Sequence, residues 1–207
     1  MRSKIDLDSW PRKAHYEFFK SFTEPFFGVT VVVDCTQTYE EAKAKGHSFY
    51  LSYLHKALVA ANEIEAFRLR IHEDSVWLYD HIHAAPTVDR PDHTFGYGYL
   101  DYHADFADFV HEALPRIEEV RRSKSLLPSA SGDNVIHFSS VPWIRFTGLS
   151  HARPLTFPDS IPKITFGKME KRAGSYTMPL SVHVHHGLTD GYQVGQYIDR
   201  YQTLLST

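Results

Sequence analysis

Three histidines fall within four positions near the C-terminal end, His183, His185 and His186, and Asp190 follows. Histidine titrates near neutrality, so such a cluster can hold a metal, move protons or fill polar positions in a core. Zinc needs three or four converging ligands. On a strand His185 and His186 point to opposite faces, so only His183 and His185 could converge. No HExxH or cysteine-rich partner supplies a third ligand, and no metal is expected. Upstream, Leu180, Val182 and Val184 alternate with Ser181 and His183. If that strand persists, His186 falls on its apolar side, just before a break at Asp190-Gly191. Desolvation there disfavours the imidazolium. A neutral ring can accept a proton, which is what a general base does. The plainer alternative is a half-exposed strand with one histidine hydrogen-bonded in the interior, and spacing alone leaves both open.

The elements that must position these residues are readable in part. Residues 27–33 (FGVTVVV) are β-branched and predict a buried strand. Residues 48–63 carry Leu51, Leu54, Leu58 and Ala61 at helical spacing. Residues 76–79 are a short strand candidate, and 104–122 an amphipathic helix that Pro115 could kink or split. Beyond Pro128, strands are expected at 135–139, 143–149, 164–168 and 178–186, and a closing amphipathic helix runs through Val194, Tyr197, Ile198, Tyr201 and Leu205. Helices and strands interleave without strict alternation. The fold expected is α/β, a two-layer sandwich of a mixed sheet with helices on one face.

Composition narrows the function classes. The chain has 207 residues, enough for one well-buried core, and the expectation is a single domain over 1–207. A net charge of -3 gives no footprint for nucleic acid or an anionic membrane. The single cysteine, Cys35, excludes an intramolecular disulfide and a multi-cysteine zinc site, and fits a reducing, cytoplasmic setting. No secretory signal is read at the N-terminus, and no apolar run reaches bilayer length. Fourteen histidines, twelve Tyr and fourteen Phe remain; they fit either an aromatic core with surface histidines or a ligand pocket.

The run 179–191, PLSVHVHHGLTDG, resembles the HHxxxDG signature of the chloramphenicol acetyltransferase family. The likeness extends along nearly the whole chain, through 10–15 (WPRKAH), Phe49-Tyr50, Phe67-Arg68, Thr94-Phe95, 139–143 (SSVPW) and 164–168 (ITFGK). HHxxxDG alone is shared with dihydrolipoamide acyltransferases and larger condensation domains. The ordered set, at this length, points to the small trimeric enzymes.

That resemblance implies an acetyl-CoA-dependent O-acetyltransferase, with acetyl-CoA a co-substrate and no permanently bound cofactor. It implies His186 as the base that deprotonates the acceptor hydroxyl, with Ser139 giving a hydrogen bond to the developing oxyanion and Thr165 assisting through water. Asp190 and Arg12 match a buried ion pair bracing the histidine loop, and Lys168 a lysine near the CoA nucleotide. The acceptor pocket implied includes Phe18, Phe19, Phe95 and Tyr97, with Leu149, His151 and Arg153. A homotrimer with active sites between subunits is implied, and antibiotic resistance as the role. Chloramphenicol is the first acceptor to consider; a more polar hydroxyl compound, or a non-catalytic binding module of the same fold, are the alternatives.

The departures from the family pattern lie around that pocket. Phe19 stands where a tyrosine is common, Tyr97 replaces a small residue, and His151 and Arg153 replace apolar wall. Ser48 replaces a lysine on the CoA side. A desolvated Arg153 is costly unless something anionic or strongly polar meets it.

Overall fold

The computed structural model describes residues 1–128, 132–153 and 159–207. The large sheet has seven strands: β2 (Phe26–Asp34), β5 (His83–Asp89), β6 (Phe95–Tyr97), β7 (Val135–Val141), β8 (Lys163–Gly167), β9 (Glu170–Arg172) and β10 (Ser175–His185). Their order is β2-β10-β8-β7-β5-β6, with β9 beside β10. β5, β7 and β8 run parallel, and the other pairs are antiparallel, so the sheet is mixed. A second sheet joins β1 (Arg2–Lys4), β3 (Leu69–His72) and β4 (Ser75–Tyr79) in the order β1-β4-β3.

The helices are α1 (Lys13–Phe19), α2 (Thr36–Lys45), α3 (Phe49–Glu63), α4 (Phe106–Arg122) and α5 (Gly191–Leu205). Leu180, Val182 and Val184 of β10 share the main core with Phe138 of β7, Ile164 and Phe166 of β8, and residues of α3, α4 and α5. That is the helical layer of the sandwich. The opposite face of the same strands carries Ser139, Thr165 and Ser181, so the alternation separates hydrocarbon from hydroxyl. A smaller core of Tyr16, Leu69, Val76 and Leu188 joins α1 and the second sheet to the turn after β10.

Three expectations need correction. Residues 143–149 form no strand. The neighbouring strand β8 offers them no free side, since it already has β7 on one side and β10 on the other. The 27–33 segment is a strand but an edge one, and only Val33 of β2 is buried. Pro115 does not divide α4, which runs unbroken from Phe106 to Arg122. Ser48 also gains a local explanation: it is the N-cap of α3, accepting a bond from the Leu51 amide at 3.3 Å.

Candidate active site

β10 ends at His185, and His186 lies in the turn beyond rather than on the strand. Its backbone is held on both sides. The His186 N–H donates to the Pro25 carbonyl at 2.8 Å, and its carbonyl accepts from Arg12 Nη2 at 3.1 Å. The ring stacks on Phe19, with centroids 4.2 Å apart and planes 15° apart, and leans on Phe27 at 4.5 Å. Two phenyl faces and two backbone bonds leave this imidazole little freedom. Its Nδ1 is buried and has no partner among the described residues.

Asp190 serves two neighbours at once. Oδ1 accepts from the Tyr192 amide at 2.9 Å and caps α5, while Gln193 returns a bond to the Asp190 N–H at 3.0 Å. Oδ2 meets Arg12 Nη1 at 2.6 Å. Burial works to raise the Asp190 carboxyl, but the Arg12 bond and the Tyr192 amide outweigh it and hold the group below the ordinary carboxylate range. Arg12 thus ties the start of α5 to the carbonyl of His186. The expected pair is present, though only partly buried: the side chains are 15% and 34% exposed.

His185 is a different histidine. It is buried, its Nδ1 accepts from the Gly187 amide at 3.1 Å, and burial pushes its pKa down to about 4. It therefore holds the turn as a neutral ring.

On the far side of β10 lies a row of hydroxyls. Ser139 is level with Thr165, and Thr165 with Ser181, which in turn faces Thr30. Thr87 Oγ1 is 3.4 Å from Ser139 Oγ, and Tyr97 pairs with Thr87 on the next strand. Thr165 is buried, its Oγ1 3.3 Å from His151 Nε2. Burial, with smaller help from nearby cations, lowers His151 to about 4.

The remaining expected residues are dispersed. Phe95 and Tyr97 lie on the outer strand β6 with rings edge to face at 5.4 Å. Phe18 packs on Phe19 at 5.0 Å yet stays 61% exposed. Leu149 sits beside His183, and Lys168 is exposed at the end of β8. Arg153 meets Glu24 and lies over the Phe26 ring at 4.1 Å. The anion that Arg153 required is therefore a residue of the same chain. Phe27 and the Pro25 carbonyl, which hold His186, were not foreseen; their only signal was proximity of β2 to β10, a long-range pairing.

The two halves of the site are far apart in one chain. His186 is five residues beyond Ser181, and Ser139 lies two strands across from β10. At about 3.3 Å per residue and 4.8 Å per strand, the separation is on the order of 20 Å. Among the described residues no three His, Cys, Asp or Glu side chains converge as a metal site, and no helix is long and apolar enough to cross a membrane.

Residues 2–202 match the family model described as chloramphenicol acetyltransferase. This chain belongs to the chloramphenicol acetyltransferase family. It is accordingly an enzyme, an acyltransferase. A chloramphenicol acetyltransferase of Streptomyces acrimycini is 30% identical over 207 residues, covering 98% of this chain and 93% of the relative. One from Escherichia coli is 28% identical over 201 residues, covering 96% and 91%. A solved chloramphenicol acetyltransferase structure superposes with a TM-score of 0.91 at 31% identity, covering 99% of this chain and all of the other. A probable dihydrolipoamide acetyltransferase of Listeria monocytogenes, at 12% identity and a TM-score of 0.67 over 93% of this chain and 88% of that one, shares the fold. That chloramphenicol acetyltransferase structure thus shares with this chain the mixed sheet on which the candidate residues lie.

Proposed function

We propose that the protein transfers the acetyl group of acetyl-CoA to a hydroxyl of chloramphenicol, using His186 of one subunit against Ser139 and Thr165 of the next. The observation that carries this reading is the mounting of His186 in the turn beyond β10, held by Phe19 and Arg12, while Ser139 lies two strands across from β10, a separation on the order of 20 Å by strand spacing. A homotrimer of one-domain subunits would bring the two halves together through a head-to-tail interface. Exposed Phe18, Trp143 and Ile144 supply apolar surface for such contacts.

In this mechanism the His186 ring takes the proton of the acceptor hydroxyl as its oxygen bonds to the thioester carbon. The carbonyl electron pair moves onto oxygen, where the Ser139 hydroxyl donates to it and Thr165 assists. Collapse expels the CoA thiolate, which receives the proton from the imidazolium. No acyl-enzyme forms, so both substrates are bound together and much of the rate gain is positioning. Arg12 and Asp190 hold the histidine turn without touching substrate, and Lys168 offers positive charge to the CoA phosphates. The reaction uses no resident cofactor and suits a cytoplasmic protein conferring resistance to the drug.

The test is free-thiol release from acetyl-CoA on addition of chloramphenicol, with chelator present. Stoichiometric thiol and acetylated drug are expected. Thiol release that does not depend on any hydroxyl acceptor contradicts the reading.

A further inference from the structure

We propose that His151 is a positioning residue for the acyl transfer: through its Nε2 it fixes the direction of the Thr165 hydroxyl, so that ring and hydroxyl act as one donor chain toward the oxyanion. The inference rests on the proposed placement of Ser139 and Thr165 at the reacting carbonyl, and it requires no contact between His151 and the acceptor.

Three hydroxyls stand level across β7, β8 and β10, from Ser139 through Thr165 to Ser181. Neither neighbour holds Thr165. Ser139 Oγ lies 3.4 Å from Thr87 Oγ1, and Ser181 Oγ is buried with no partner among the described residues. Thr165 is itself fully buried, and the partner its Oγ1 has among the described residues is His151 Nε2, at 3.3 Å. A β-branched side chain has few rotamers, so what stays free in Thr165 is the rotation of its O–H. His151 sets that rotation.

The ring is braced in turn. His151 lies in the coil between β7 and β8, and its ring meets that of His183 edge to face, with centroids 4.9 Å apart. His183 bonds the Leu149 backbone, two residues before His151, and packs over Gly28, where a Cβ would lie 2.5 Å from the ring. Burial keeps His151 neutral, with one N–H and one bare nitrogen. With the proton on Nε2, the ring donates to Thr165 Oγ1 and the threonine proton points onward. Receiving that bond makes the hydroxyl a better donor, since successive hydrogen bonds polarise one another. A bare Nε2 would take the threonine proton and leave only lone pairs toward the oxyanion, so the role assigns the ring proton to Nε2.

The experiment measures thiol release from acetyl-CoA with chloramphenicol for the native protein, His151→Leu, His151→Asn, His151→Gln and Thr165→Val, and for each His151 variant combined with Thr165→Val. His151→Leu should lower kcat about 3- to 10-fold, the worth of one neutral hydrogen bond, with KM for both substrates little altered. His151→Asn, polar but too short to reach Thr165, should match it, and decides the matter should the leucine variant fail to fold. His151→Gln, whose amide reaches the place of Nε2, should recover most of the loss. In the Thr165→Val background no His151 substitution should lower kcat further. Losses that multiply in that background overturn the proposal, as does an effect confined to KM for the acceptor or a glutamine variant no better than leucine. Nitrogen-15 NMR should find the His151 proton on Nε2, and a proton on Nδ1 overturns the donor chain. Native kcat in Thr165→Val would overturn the underlying reading of Thr165 and this proposal with it. A slow Thr165→Val beside a native-like His151→Leu overturns this proposal alone.

Discussion

His185 and His186 are adjacent yet held by different surroundings. His185 is enclosed and bonded to the Gly187 amide, whereas His186 is clamped between phenyl rings beyond the strand end. His186→Ala should lower kcat on the order of 10²- to 10⁴-fold, the usual worth of a general base, with little change in melting temperature. His185→Ala should do the opposite, loosening the turn and lowering the melting temperature while sparing more of the rate. If steady-state kinetics found His185→Ala the more damaging to kcat, the base would be misassigned. Ser139→Ala should cost about 10²- to 10³-fold in kcat with KM for acetyl-CoA little altered. A large KM change with kcat intact would make Ser139 a ground-state binding group.

At the scale of elements, Arg12 links the start of α1 to the cap of α5 through Asp190. Removing either partner should destabilise the fold by about 1–3 kcal/mol, less than for a fully enclosed pair because both side chains retain some exposure. A double-mutant cycle by chemical denaturation should show strong non-additivity, since the second removal finds the pair already broken. Additive losses would mean the pair is not coupled. Asp190 also fixes a direction for pH. Its folded pKa lies below the ordinary value, so its stabilisation is present above about pH 4 and fades as pH falls through the lowered folded value. Asp190→Asn should remove that acid limb from the pH–stability curve.

The same elements show what the sequence could reveal. β10 was legible because hydrocarbon and polar residues alternate over its length, and α3 because its apolar residues share one face. Residues 143–149 misled because β propensity is local, whereas a strand needs a free edge, and both sides of β8 are occupied. Asp190 was readable as a partner for Arg12 only through family resemblance; its second bond, capping α5, follows from where the helix starts. The packing of His186 against Phe19 and Phe27 joins residues more than 150 positions apart, and no local pattern encodes it. Arg70 is a similar case: fully buried, it is satisfied by backbone carbonyls of Phe67, Leu69, Asp133 and Val135.

For the whole molecule, burial lowers His137, His151 and His185 each to about 4. In the unfolded chain such groups titrate near 6.5. The unfolded state therefore binds more protons between those values, and stability should fall steadily from about pH 6.5 toward pH 4. Melting temperatures across that range should show the decline, and His137→Asn should reduce its slope. A flat profile would mean these rings are protonated in the folded protein.

The molecule as a whole also decides whether His186 acts on its own chain or on a neighbour's. Two inactive variants, His186→Ala and Ser139→Ala, should be co-expressed and the mixed oligomers assayed by thiol release with acetyl-CoA and acceptor. If each site takes its histidine from one subunit and its serine from the next, random mixing restores both native groups in about a quarter of the sites of a closed ring. Recovery of activity near that fraction, in material whose separate variants are both nearly inactive, is the result expected. Activity no greater than the average of the two variants alone would place both residues in a site within one chain and contradict the account.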